Sequence, residues 1–258
     1  MQAISAGNVK GIDVSKWQGF IDWPKVAASG VKFAFIKATQ GTSLVDACLK
    51  RNAQEAHAAG IAVGYYHFAT PEQSAVQQVD HFLNTIQGLP CDLPLVLDIE
   101  REEGLGKTYI TTFCLTFLTE LERRTNKLPM VYTGASFAST YLGKELSRYP
   151  LWVAHYGVDK PKPNKTWDRW AVFQFTDKGV VPGIKGNVDV NWMEADFFMR
   201  YMISKADCEK ITKLLGILWT LEHNKQIDVK LSEGVDITKD EIHRLANEVR
   251  KAAGVPTT

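Results

Sequence analysis

Short apolar runs rich in β-branched and aromatic residues recur along the chain. They fall at Gly11–Gln18, Phe33–Thr39, Ala62–Ala69, Pro94–Glu100, Pro129–Gly134, Leu151–Tyr156, Ala171–Thr176 and Val188–Trp192. Stretches within several of them (FAFI, PLVL, LWVA) contain no polar position, the pattern of strands covered on both faces, as in a parallel sheet. The gaps between the early runs read as helices. VDACLKRNAQEAHAAG is built from good helix formers and stops at Gly60. PEQSAVQQVDHFLNTIQG repeats apolar residues at Val76, Val79, Phe82, Leu83 and Ile86. TYITTFCLTFLTELERRTNK carries Ile110, Phe113, Cys114, Phe117, Leu118 and Leu121 on one stripe. A shorter helix fits Ser136–Leu146, and WPKVAASG allows a turn or two. The last two gaps, Gly157–Trp170 and Asp177–Asn187, carry Pro161, Pro163, Pro182 and several glycines, so neither holds a helix of ordinary length.

Strands alternating with helices predict an α/β fold built on a mostly parallel sheet. Eight strands is the closure number of the (β/α) barrel. The expectation is therefore an irregular TIM-like barrel over residues 1–200, with eight strands and crossover helices only in the first five units, (β/α)5β3. Beyond Arg200 the pattern changes. Ser204–Ile227 spaces Ile211, Leu214, Leu215, Leu218 and Leu221 as a helix does, and Asp236–Ala253 opens on a capping-box pattern, Thr238 with Glu241. These predict a small α-helical C-terminal unit over 204–258, read equally as a wall-targeting module or as a helical cap or oligomerisation element through which the chain self-associates.

Composition narrows the field. With 45% hydrophobic and 23% charged residues the chain can bury an ordinary globular core. A formal charge of +1 leaves no electrostatic footprint for nucleic acid. No apolar run approaches the roughly 20 residues of a membrane span. The N-terminal MQAISAGNVKG lacks the blocks of a signal peptide, which predicts residence in the cytoplasm of the producing cell until release. Cys48, Cys91, Cys114 and Cys208 show no C-x-x-C spacing and no nearby histidine cluster, so they read as free thiols with no zinc site and no cofactor.

Candidate chemistry concentrates at strand ends. In LPLVLDIE, Asp98 and Glu100 lie two apart and project from one face of the fourth run, at the end where barrel enzymes place their catalytic groups. Two carboxylates held close cannot both ionise freely, so one becomes a general acid near neutrality, as glycoside hydrolysis requires. Standing alone, a D-x-E of this kind reads equally well as the start of a solvated loop. Asp13 in the first run and Asp189 in the eighth add two acids, and in a closed barrel those strands are neighbours. Amphipathic side chains suited to sugars accompany them: Trp17, Gln18, Tyr65, Tyr66, His67, Tyr132, Trp152, His155, Gln174 and Trp192. Only one of Tyr65 and Tyr66 can face the barrel interior, and His67 alone reads as structural.

The sequence resembles the glycoside hydrolase family 25 lysozymes, muramidases common among phage endolysins and bacterial wall hydrolases. The resemblance rests on GIDVSKWQGFIDW, FAFIKATQG, AGIAVGYYHFA, PLVLDIE, PMVYTG, LWVAHYG and VFQFTDKG…VDVNW, in that order along the chain. It implies a flattened barrel with five helical crossovers that hydrolyses the β-1,4 bond between N-acetylmuramic acid and N-acetylglucosamine in bacterial peptidoglycan. Glu100 then matches the general acid and Asp98 the carboxylate beside it. Asp13 and Asp189 match two further acids of the groove, and Tyr66, Tyr132, Trp152 and Gln174 fall at substrate-contacting positions. A phage lysis enzyme acting on the bacterial cell wall is the implied setting. Acids two apart on one strand share a side of the bond, which favours attack by the sugar's own 2-acetamido oxygen over paired flanking carboxylates; an inverting route with Asp13 or Asp189 as base stays open. Rival readings are a divalent-metal hydrolase using the four acids, a non-catalytic wall-binding protein, and a chitinase-like or glucosaminidase specificity.

Overall fold

A computed structural model describes residues 1–202, 210–217, 230–231, 235–236, 242–244, 246–247 and 249. The chain divides into two compact units, Met1–Glu194 and Ala195–Thr258. Within the first unit the strands are β1 (Val9–Val14), β2 (Phe33–Gln40), a short β3 (Leu44–Val45), β4 (Ala62–Phe68), β5 (Val96–Asp98), β6 (Met130–Gly134), β7 (Leu151–Ala154), β8 (Val172–Gly179) and β9 (Val188–Met193). Its helices are α1 (Trp23–Ala28), α2 (Leu49–Ala58), α3 (Ala75–Ile86), α4 (Gly106–Thr125) and α5 (Ala135–Tyr141).

The strands run in the order β1-β9-β8-β7-β6-β5-β4-β2, and a β1–β2 pairing closes the ring; β3 is a two-residue hairpin on the edge of β2. Among the described residues this is a closed barrel of eight strands in which α1 to α5 fill the first five connections and no helix fills the last two, the α/β architecture that the apolar runs predict. The eighth barrel strand differs from that expectation in direction. β9 is antiparallel to both β8 and β1. The connection before it, residues 180–187, is too short for a parallel crossover, which takes a dozen residues or more.

Elements also end where local chemistry ends them. The first run stops at Val14 because Ser15 and Gln18 close a capping box, and Lys16–Gln18 becomes a 3-10 turn. The fourth run is a ladder only over Val96–Asp98, and Ile99 leaves it with its N–H donated to the Tyr132 carbonyl at 3.0 Å. The helix expected over Ser136–Leu146 splits into α5 and a 3-10 turn, Lys144–Leu146.

Strand alternation sorts the core into two layers. Ile12, Val14, Ala34, Ile36, Val63, Tyr65, Leu97, Val131, Val153 and Phe173 point outward into a continuous cluster with the helices. The opposite parity points into the barrel. Gly11 and Gly64 make room there for aromatic rings, since a Cβ at Gly11 would stand 2.3 Å from the Phe33 ring and one at Gly64 2.6 Å from Phe35. Phe35 in turn stacks on Trp152 with ring centroids 4.6 Å apart. The interior is thus plugged by aromatic side chains from below, and residues one step further along each strand open at the rim.

His67 belongs to the outer layer, as its isolation in the sequence suggested. It is fully buried, stacks on Phe117 at 5.2 Å, receives or shares a hydrogen bond with Thr39 Oγ1 at 2.7 Å, and meets Gln78 Oε1 through Nε2 at 2.9 Å. Burial pushes its pKa down to about 4, so the folded protein holds it neutral while the unfolded chain protonates it near 6.5. The folded state binds fewer protons between those values, so stability falls as pH drops through that window, by about 3 kcal/mol in total. Urea unfolding at pH 7 and at pH 4 measures this, and His67→Gln should remove that part of the pH dependence.

In the second unit, α6 (Ala195–Met202) and a helix over 210–217 are present, with short helical stretches at 242–244 and 246–247. The unit is not purely helical: Lys230–Leu231 pairs antiparallel with Val235–Asp236, so Asp236 ends a strand and does not open a helix. Leu214 is 60% exposed, off the buried stripe expected for it. Thr238, Glu241, Leu218, Leu221 and Cys208, on which other expectations for this unit rested, lie outside the described residues. Among the described residues no helix is long and apolar enough to cross a membrane.

Candidate active site

The inward parity of the barrel strands delivers one polar side chain after another to the same rim. Asp13 rises from β1, Lys37 from β2, Tyr66 and Phe68 from β4, Asp98 from β5, Tyr132 from β6 and Gln174 from β8. Because β9 runs the other way, its beginning meets the C-terminal ends of the other strands, and Asp189 pairs in register with Asp13. Strand reversal is therefore what puts the fourth acid in the site. These residues, with Glu100, Trp152, Trp17 and Tyr156, line a cleft of about 250 Å³.

The eight residues that the resemblance assigns to the site (Asp13, Tyr66, Asp98, Glu100, Tyr132, Trp152, Gln174 and Asp189) border this one cleft, as do Trp17 and Gln18, whereas Trp192 stacks on Phe175 outside it and His155 lies in a neighbouring hollow. Tyr65 faces away and donates its hydroxyl to the Pro90 carbonyl. Asp98 is 4% exposed, whereas Glu100 stands at the mouth, open to solvent. Burial raises the pKa of Asp98 well above its ordinary value, and the Glu100 charge raises it further. Desolvation also raises Glu100, against lowering contributions from its contact with Asp98 and from Arg101 and Lys37. Two carboxyls placed so close resist ionising together. Asp98 Oδ1 is buried without a hydrogen-bond partner, an acceptor left open for something that enters the cleft.

The rest of the cleft is a connected polar network. Asp13 Oδ2 accepts from Gln174 Nε2 at 2.8 Å and from Asn191 Nδ2 at 2.7 Å. Gln174 Oε1 accepts from the hydroxyls of Tyr132 at 2.9 Å and Tyr156 at 2.8 Å. Trp152 donates its indole N–H to Asn191 Oδ1 at 2.8 Å. Trp152 and Gln174 are almost wholly buried, so they form the floor and hold Asp13 and the tyrosines in place. Burial and the Asp189 charge raise Asp13 well above the carboxylate range, the two amide donors opposing them. Asp189 is pushed up to about 6, by burial first and by Asp177 second. Tyr66 and Tyr132 are raised by burial and by the surrounding acids, which keeps both as hydroxyl donors.

Three residues of this network carry no role in the sequence reading. Asn191 lies two positions from Asp189 on the same strand face, a signal that alternation supplies. Tyr156 follows the last residues of β7. Lys37, inside the FAFIKATQG motif, is a charged residue in an otherwise apolar strand; its ammonium donates to Gln40 Oε1 at 2.9 Å and lies 4.6 Å from the centre of the Phe68 ring. Its charge lowers both Asp98 and Glu100. Lys37→Met should therefore move both limbs of the pH–rate profile to higher pH, a shift that a kcat/KM profile would reveal and that unchanged limbs would contradict.

Among the described residues no group of three or more His, Cys, Asp or Glu side chains is arranged to hold a metal ion. Cys48, Cys91 and Cys114 are free thiols.

Comparison with known proteins bears on the same residues. The family model described as Glycosyl hydrolases family 25 matches residues 12–184, from β1 to the connection before β9. Protein YegX of Escherichia coli K12 is 40% identical over 188 residues, covering 71% of this chain and 68% of its own length. Lysozyme M1 of Streptomyces globisporus is 39% identical over 196 residues, covering 71% of this chain and 67% of its own. The crystal structure of the bacterial lysozyme of Streptomyces coelicolor superposes with a TM-score of 0.68 at 36% identity, over 73% of this chain and 93% of that one.

Proposed function

Because the chain belongs to glycosyl hydrolase family 25, and so is a glycosidase, we propose that it cuts the β-1,4 bond between N-acetylmuramic acid and N-acetylglucosamine in bacterial peptidoglycan. The observation that carries this reading is the Asp98–Glu100 pair: one buried carboxyl with an open acceptor, and one at the mouth of the cleft. Glu100 protonates the bridging oxygen. Asp98 Oδ1 accepts from the N–H of the substrate's 2-acetamido group, turning its carbonyl oxygen toward C1. That oxygen attacks as the C1–O bond breaks, and the negative Asp98 stabilises the oxazolinium ion. Glu100, now a carboxylate, takes a proton from water, which opens the ring and restores the original configuration at C1.

Asp13 and Asp189 face each other across β1 and β9, and Asp189, raised only to about 6, supplies negative charge to the cleft near neutral pH. NMR of the first products formed from purified peptidoglycan tests this route. It predicts the β-anomer first, followed by mutarotation; the α-anomer appearing first would remove it in favour of inversion by Asp13 or Asp189.

Within this reading the setting is phage-type lysis, supported by likeness to the solved structure of the CTP1L endolysin, at 30% identity and a TM-score of 0.67. Co-expression with a membrane-permeabilising holin should clear a bacterial culture, and expression alone should not. Clearing without the holin would contradict it. Removal of residues 204–258 should abolish pelleting with cell walls if the second unit targets the wall, and should change the oligomeric state if it mediates self-association.

A further inference from the structure

The acids of the cleft are matched by positive charge on one side only. Lys37 is the one cation among the described residues that line it, against Asp13, Asp98, Glu100 and Asp189. It is half-buried on β2, and among the described residues it forms no ion pair. Its ammonium donates to the neutral amide of Gln40 at 2.9 Å, which leaves further N–H donors for the cleft. Burial lowers its pKa, and Asp98, Asp46 and Glu100 oppose that. Asp46 is already engaged, since its carboxylate accepts the backbone N–H groups of Lys16 and Cys48, each at 2.9 Å.

A second cation is drawn to the same place. Phe68, at the end of β4, pairs in register with Asp98. The Lys37 ammonium stands 4.6 Å and the Arg101 guanidinium 5.5 Å from the centre of the Phe68 ring. The Arg101 side chain is 64% exposed, and its contact with Glu103, at 4.0 Å, is long and open to water, so it contributes little. Cations gathered in this way repel one another, and an anion seated between them relieves the repulsion. We propose that Lys37 and Arg101, meeting on Phe68, hold a carboxylate of the branch at C3 of the attacked sugar, the group that distinguishes muramic acid from glucosamine. This deepens the proposed reaction and rests on it.

Position gives the branch its direction. The equatorial substituents of a pyranose point outward in sequence around the ring, so that of C2 lies between those of C1 and C3. In the proposed reaction the bond at C1 meets Glu100, and the acetamido group at C2 meets Asp98. Asp98 sits on β5 between its register partners Tyr132 on β6 and Phe68 on β4. Glu100 lies toward β6, where it borders a hollow with Tyr132 and Gly134. The C3 substituent therefore points the other way, over β4 and β2, to Phe68 and Lys37. Glucosamine has only a hydroxyl there. Muramic acid has a lactyl ether, with a methyl that the Phe68 ring can cover and a carboxyl that is free in peptide-free strands and carries the peptide elsewhere.

A role confined to balancing Asp98 and Glu100 would act on every substrate alike, whereas a hold on the branch acts only where the branch is charged. Peptide-free glycan strands and peptide-bearing ones, each with its carboxylates intact or converted to methylamides, separate the two, with every protein assayed at its own pH optimum. In at least one pair, amidation should cost the unmodified protein about tenfold in kcat/KM, chiefly through KM. Loss in the peptide-free pair assigns the lactyl carboxylate, and loss only in the other pair the first carboxylate of the peptide. Lys37→Met and Arg101→Gln should each lose a similar factor on the charged strands and show little further loss on amidation. Arg101→Lys should recover part of it. Arg101→Gln alters an exposed side chain, so it decides the matter even if Lys37→Met does not fold. Indifference of the unmodified protein to amidation in both pairs, or variants that keep its full preference, overturn the assignment. Calorimetric titration of the same strands into Glu100→Gln protein separates this hold from the reaction. A preference for the carboxylate in a protein that cuts no glycan upholds the hold and removes the hydrolase reading; cutting without any preference removes the hold alone.

Discussion

Glu100→Gln should lower kcat on peptidoglycan by about 10³-fold or more, within or beyond the span that a positioned general acid contributes. The amide keeps the shape and hydrogen-bonding capacity of the carboxyl but cannot surrender a proton to the bridging oxygen. Glu100 is suited to the donor's part because partial desolvation raises its pKa while its position at the mouth leaves it in reach of the scissile bond. The variant should bind and pellet with cell walls as the unmodified protein does, since no other cleft contact is removed. Thermal unfolding should be unchanged or higher, because a desolvated carboxylate has been neutralised. A fall in kcat matched by loss of wall binding or of the folded state would instead make Glu100 structural.

Asp98→Asn should produce the second largest loss, about 10²-fold or more in kcat, the scale of one preorganised electrostatic contact to the transition state. Asparagine can still accept from the acetamide N–H, so KM should change little. What it lacks is the negative charge that opposes the oxazolinium ion.

The same substitution should stabilise the fold. An acid whose folded-state pKa lies above its unfolded value binds protons more tightly in the native state, so stability is greatest below the unfolded pKa and is lost as pH rises through the folded one. Removing the carboxylate removes that loss, and Tm should rise more at pH 8 than at pH 4. A variant less active and more stable is the signature of a group buried for chemistry rather than for packing. Unchanged kcat would contradict the first half of the argument, and a lower Tm at every pH the second.

The sequence carried the barrel because its interior is covered on both faces. Apolar runs such as FAFI and LWVA mark strands, and the proline- and glycine-rich gaps after β7 and β8 show where helices are missing. Asp98, Glu100 and Asp13 were legible from two-residue alternation at strand ends. The direction of β9 was not read, although the brevity of residues 180–187 already argues against a parallel crossover. That direction decides how Asp189 reaches the site.

Side chains whose chemistry is relational were harder to see. Asn191 matters because it joins Asp13 to Trp152, and Tyr156 because its hydroxyl meets Gln174; neither stands out until the strands are paired. Lys37 was visible as a charge in an apolar strand, but its bearing on the acids needs β2 beside β4 and β5. Trp152 and Gln174 reach the cleft as its floor, a placement that depends on how the aromatic plug of Phe33, Phe35 and Trp152 fills the barrel.

The most direct test of the central claim is the chemical identity of the reducing ends released from purified bacterial cell walls, read by mass spectrometry with Glu100→Gln alongside. The account predicts new muramic acid reducing ends from the unmodified protein and none from the variant. Glucosamine reducing ends, or equal release by both proteins, would contradict it.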